Sequence, residues 1–273
     1  MKTLKELFLL LIVASLFSAC NNDIELSIKG QTSINEGDFY EYKALFSDDF
    51  VIDDTVELQW SIKGIHPKKY TKILDSNKSI LKIRVDTLKN PIIKLVVHRD
   101  GEVYKAKKKL KVQKALIIDG YRLPADPGEE GKETIKGIDA NKNGVRDDVE
   151  RAIYLTYKRP IERAYMMQDS LEMAEYIERP LESAVSESFQ RQLFLNSACA
   201  SYLEFILKID KNGILKNPSN FQDKIFVNTK DRIKAYAMYN QARSGTVSTL
   251  PDIEDLKASA CDFNVTELLN REL

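Results

Sequence analysis

Histidine is nearly missing. His66 and His98 are the only two in 273 residues, and both lie before residue 100. The C-terminal half therefore cannot hold a Ser-His-Asp or Cys-His constellation, and two imidazoles would need further partners to make a zinc site. Cysteine is scarce, at three residues with no Cys-x-x-Cys spacing, which removes a thioredoxin-like redox centre. There is no glycine-rich phosphate loop and no dinucleotide fingerprint. Net charge is missing too: 41 Lys and Arg balance 41 Asp and Glu. No global basic field exists to attract nucleic acid. Nowhere does the chain carry the roughly 20 apolar residues of a membrane-crossing helix. These absences argue against an enzyme and leave catalytic residues unassigned.

What is present begins with a leader. Lys2 and Lys5 precede an apolar run from Leu7 to Phe17, broken only by Ser15. A basic start, a short apolar stretch and small residues before a cut define a secretion signal. The cut region reads Leu16-Phe17-Ser18-Ala19-Cys20, which resembles the lipobox of bacterial lipoproteins. The resemblance implies that residues 1–19 are a lipoprotein signal peptide and that Cys20 is lipidated. The membrane would then be a partner through a lipid anchor, which is stable with two or more acyl chains. Asn21 stands where lipoproteins retained at the inner membrane typically carry aspartate, so a cell-envelope location with the outer membrane favoured is expected. The other reading is an ordinary signal peptide with an unrelated cysteine. With Cys20 lipidated, Cys199 and Cys261 remain as a pair. An oxidising compartment favours a disulfide between them, worth roughly 4 kcal/mol for a loop of about 60 residues. The alternative is two buried free thiols.

The mature chain changes periodicity midway. Ile24–Ile28, Val56–Ile62 and Ile80–Val85 alternate apolar and polar residues, the pattern of half-buried strands. Asp100-Gly101 joins two further strand-like runs, a strong hairpin signal. Six or seven short strands suggest a β-sandwich. With Trp60 mid-strand, residues 20–115 resemble an immunoglobulin-like domain without its cysteine pair. Lys105, Lys107, Lys108, Lys109, Lys111 and Lys114 read as an edge strand guarded against aggregation, or as a patch for anionic lipid or polysaccharide. No glycine occurs from Arg151 to Asn212, and Phe189, Leu193, Asn196, Ala200, Leu203 and Leu207 recur at helical spacing. Gly213 stops that helix. Asn228 or Thr229 caps a second helix that ends before Gly245, and Pro251 starts a third. Pro160 and Pro180 divide the earlier stretch. The expected fold is multidomain: an all-β immunoglobulin-like sandwich at 20–115, a linker at 116–138, and an all-α helical domain at 147–273.

Between them, residues 139–150 fit a calcium loop. Asp139, Asn141 and Asn143 stand first, third and fifth, with Gly144 sixth for the sharp turn. Val145 is seventh and would offer its backbone carbonyl. Asp147 is ninth and Glu150 twelfth, the bidentate place. No long entering helix precedes the loop, Arg146 holds the eighth position, and no second loop occurs. The loop is therefore similar to the calcium loops of dockerins and thrombospondin-type repeats, with an exit helix only. The other reading is a turn at Asn143-Gly144 followed by a capping-box start from Asp147 and Glu150. Three carboxylates and two amides predict an affinity on the order of 10⁻⁴–10⁻³ M, suited to fixing the β-to-α junction.

Asp119–Pro124, Gly137–Asp139 and Asn143–Glu150 together resemble a group of bacterial lipoproteins, as do Asn228-Thr229, Arg232, Ala235-Tyr236 and Tyr239-Asn240. The resemblance implies lipid anchoring and the loop, and no activity. Glu172, Glu175, Glu178 and Glu182 read as the solvated face of a helix. The expected function is a lipid-anchored envelope protein with one structural calcium site, acting as a non-catalytic binding or structural module for an envelope protein or glycan. The alternative is a carboxylate-dependent hydrolase of envelope polymers, which needs two carboxylates about 5–9 Å apart in a cleft.

Overall fold

A computed structural model describes residues 25–47, 50, 52–53, 55–209 and 221–271. The leader, Cys20 and Gly213 lie outside the described residues. In the N-terminal part, the strands are β1 (Leu26–Lys29), β2 (Ser33–Asn35), β3 (Phe39–Phe46), β4 (Glu57–Lys63), β5 (Tyr70–Leu74), β6 (Ile80–Val85), β7 (Ile92–Arg99), β8 (Glu102–Lys109) and β9 (Lys111–Gln113). One antiparallel sheet has the order β1-β3-β6-β5 and a second the order β4-β7-β8, while β2 and β9 pair in parallel. The alternation in the sequence decides which side faces in. Tyr42, Ala44, Leu81, Ile83 and Val85 of the first sheet share one buried cluster with Leu58, Trp60, Ile62, Ile93, Leu95 and Val97 of the second. The Trp60 indole N–H is satisfied by the Lys78 carbonyl at 2.7 Å, which removes the cost of burying that donor.

Asp100 and Gly101 have φ of 50° and 83°, the left-handed pair a two-residue hairpin turn requires. Among the described residues strand β8 pairs with β7 alone, so the lysine-rich run is an edge. Lys105, Lys107 and Lys109 point to solvent, where charge discourages pairing with another chain.

The C-terminal part is helical: α1 (Asp147–Thr156), α2 (Pro160–Glu178), α3 (Pro180–Val185), α4 (Glu187–Ser201), α5 (Lys230–Ala242) and α6 (Val265–Asn270), with π-turns at Tyr202–Ile206 and Gln222–Phe226. Pro160 and Pro180 each open a helix at its first turn, where a missing N–H costs nothing. Thr229 caps α5. Pro251 does not start a helix; the last one, α6, is capped by Asn264, whose side chain accepts the Glu267 N–H at 3.1 Å. Tyr176 stacks on Tyr239 at 4.6 Å and meets Phe189 edge-on, joining α2, α4 and α5 around one aromatic centre. Cys199 and Cys261 are joined, which ties α4 to the turn ahead of α6.

Residues 116–138, expected to be a linker, form a packed strap. A small hairpin, β10 (Ile117–Ile118) with β11 (Tyr121–Arg122), is followed by a 3₁₀ turn at Gly128–Lys132. Leu123 and Ala125 are fully buried. On the β side, Asn35 Nδ2 donates to the Leu123 carbonyl, Arg122 pairs with Asp38, and Glu130 accepts from the Thr32 N–H and pairs with Lys108. On the helical side, Arg232 of α5 donates to the carbonyls of Gly131, Thr134 and Ile135. Composition misled here: Pro, Gly and charge look like a spacer, but the backbone carbonyls they leave free are claimed from both sides.

Candidate metal centre

The loop at 139–150 closes on itself. Asp139 accepts from the N–H groups of Asn143 (3.2 Å) and Gly144 (2.9 Å), and Asn143 Oδ1 accepts from Val145 N–H at 2.9 Å. These side chain-to-backbone bonds hold the tight curve. Gly144 has φ +88°, the left-handed conformation that favours glycine at the sixth position.

The inner side gathers carboxylates. Asp147 and Glu150 are completely buried, at 0% exposure each. Helix α1 begins at Asp147 with Arg146 as its N-cap and no side-chain cap, so the capping-box reading fails. Asp147 Oδ1 instead reaches back to the Ala140 N–H at 3.0 Å. Its second oxygen, Oδ2, is buried without any hydrogen-bond partner. Burial first, then the neighbouring charges of Asp139, Glu150 and Asp148, push its carboxyl up to about 7, against the pull of the Ala140 bond. Glu150 Oε2 accepts from the amides of Asn141 (2.9 Å) and Asn143 (3.0 Å), and its Oε1 accepts from the Tyr121 hydroxyl at 2.5 Å. In this arrangement the two amide NH₂ groups stand in for a cation against Glu150. Rotating either amide would present its oxygen instead. The donor set is all oxygen, hard and flexible, which matches calcium in kind. Among the described residues, no three carboxylate, imidazole or thiol groups draw together as a preformed cage; two amides make up part of the set.

Two residues complete the centre. Tyr121 lies 29 positions from Glu150 and comes from the strap. Arg146, at the eighth position, is buried and donates to the carbonyls of Ile225 and Phe226 while pairing with Asp148. It locks the loop onto the second π-turn. Spacing within the loop gave no sign of either contact.

The remaining motif residues serve the same hub. Asp119 and Gly120, at φ 49° and 79°, turn the strap hairpin. Asp119 pairs with Arg163 of α2, and the Pro124 carbonyl accepts from Arg151 of α1. Arg232 is fully buried. Burial, reinforced by Arg146, pushes its pKa down to about 10, so it stays charged at neutral pH.

The glutamate row departs from its expected role. Glu175 and Glu182 pair with Arg179, and Glu178 with Lys136, but Glu172 is buried. The helix turns that position onto α4, where Asn196 Nδ2 donates to both Glu172 (3.0 Å) and Asp169 (3.1 Å). Gln168 supports Asn196 and accepts from the Asp262 N–H. Burial, then the charge of Asp169, raises the Glu172 carboxyl to about 9 although the Asn196 bond opposes the shift. His66 caps a 3₁₀ turn by accepting the Lys68 N–H, and His98 ends up on β7 opposite Glu57 and Val103.

No family model and no curated protein matches the chain. Among solved structures, the chain is similar to the solution structure of the PKD domain from human KIAA0319, at 16% identity and a TM-score of 0.27, over 36% of this chain and 90% of that chain. A likeness at that score assigns neither fold nor function. Strand pairing and helix order by themselves define an all-β part followed by a helical part.

Proposed function

We propose that this is a lipid-anchored envelope protein with an immunoglobulin-like β part, whose 139–150 loop binds one structural calcium ion and whose role is to bind a partner without catalysis. The observation that carries it is the orphaned Asp147 Oδ2, fully buried beside Glu150 and within the electrostatic reach of Asp139. An uncompensated buried carboxylate is costly unless a cation or proton answers it. Asp139, Asn141, Asn143, the Val145 carbonyl, Asp147 and Glu150 would hold the ion. Bound there, it would neutralise the inward charge and stiffen the junction where strap, loop and α1 meet. The lipobox resemblance at Cys20 supports the anchor. The Glu172 and Asp169 pair, buried under Asn196, lends no support to the hydrolase reading.

Thermal melts test the site. With a dissociation constant near 10⁻⁴ M, 5 mM calcium adds about 2 kcal/mol and raises Tm by roughly 5 °C for a chain of this size. Asp139→Ala is expected to abolish the shift. An unchanged Tm in the unaltered protein refutes the calcium assignment.

A further inference from the structure

The strap hairpin that touches the metal loop on one side borders a cleft on the other. This cleft, of about 830 Å³, lies between the hairpin, the end of α1, the first turns of α2, and α6. Its charge is one-sided. Lys158, Arg159, Arg163 and Arg271 line it with one carboxylate, Asp119, which is already paired with Arg163; Arg159 is engaged with the Ile209 carbonyl, which leaves Lys158 and Arg271 as the exposed cations of the cleft. Lys158 Nζ is held by the neutral Leu155 carbonyl at 3.0 Å, which positions it without cancelling its charge. Among the described residues Arg271 pairs with Glu267, and both side chains are more than half exposed, so that pair is weak and exchangeable.

The walls are chemically mixed. Tyr121 and Tyr154 are stacked at 4.8 Å, and the Arg163 guanidinium covers Tyr154 at 5.2 Å. Met167 and Leu268 supply apolar floor. The volume exceeds what an inorganic ion fills and falls in the range of pockets for small organic ligands. Guanidinium forks match carboxylate and phosphate groups. Tyrosine ring edges and exposed cations suit a polyhydroxylated anionic body.

We propose that this cleft binds an anionic sugar unit, a hexose bearing a phosphate or a carboxylate. The inference deepens the partner-binding reading above and does not need the calcium ion. Calorimetry on the full chain in detergent, at low ionic strength with millimolar calcium, tests it with four probes: glucose 1-phosphate, glucuronate, glucose and inorganic phosphate. At least one of the two anionic sugars is expected to bind at least tenfold more tightly than glucose or phosphate, and comparing the two identifies the preferred acid. Lys158→Glu with Arg271→Glu, both at exposed positions, is expected to weaken that binding at least tenfold. Absence of heat with both anionic sugars overturns the proposal, as does equal affinity in the double variant. Phosphate binding as tightly as glucose 1-phosphate overturns the sugar. The calcium-dependent Tm of the same samples reports folding and the metal site separately, so either reading can fail alone.

Discussion

Glu172 shows what one misplaced charge does to a helical core. Its folded carboxyl titrates near 9, against about 4.3 for an unperturbed glutamate. Below the unfolded value both states hold the proton and nothing is lost. Between about 4.5 and 9 only the folded state holds it, so stability falls as pH rises, by at most about 1.4 kcal/mol per pH unit. Glu172→Gln keeps the Asn196 partner and removes the ionisation. Denaturant melts between pH 5 and 9 are expected to show a downward slope that flattens in this variant, which is the more stable form at pH 8. Parallel slopes in both proteins would remove Glu172 as the cause. The row at 172, 175, 178 and 182 has helical spacing, and that much is legible in sequence. Which member turns inward is set by Gln168 and Asn196, and Asn196 sits 24 residues away on another helix.

At the scale of elements, legibility follows the range of the contact. The alternating strands, the Asp100-Gly101 hairpin, the breaks at Pro160 and Pro180 and the turn at Asn143-Gly144 all depend on neighbours within a few residues, although the same local reasoning wrongly started a helix at Pro251. The strap depends on partners about 80 to 100 positions away, such as Asp38, Thr32 and Arg232, and so reads as a linker. Arg232 is the clamp between α5 and that strap. Its guanidinium serves Gly131, Thr134, Ile135 and Asn228, four acceptors that no apolar residue can satisfy. Arg232→Met is expected to cost about 3 kcal/mol and lower Tm by roughly 10 °C, with Arg232→Lys recovering little because an ammonium lacks the fork. A variant melting within 2 °C of the parent would show that the clamp is dispensable.

For the whole molecule, the strap makes two differently built halves depend on each other. Buried Leu123 and Ala125, with Arg122 and Glu130 reaching into the β part and Gly131 to Ile135 held by α5, leave little that could open separately. Calorimetry is therefore expected to give one transition with equal calorimetric and van't Hoff enthalpies. Arg122→Ala with Glu130→Ala is expected to split it into two. Two transitions in the parent would mean that the strap does not couple the halves.

The bond between Cys199 and Cys261 has a consequence for the life of the molecule after damage. It closes a ring that includes the exposed stretch around Val247, Leu250 and Ile253, where a protease finds unprotected backbone. A single cut there opens the chain but releases no fragment. The two pieces stay covalently joined, and the wound is silent until a reductant exposes it.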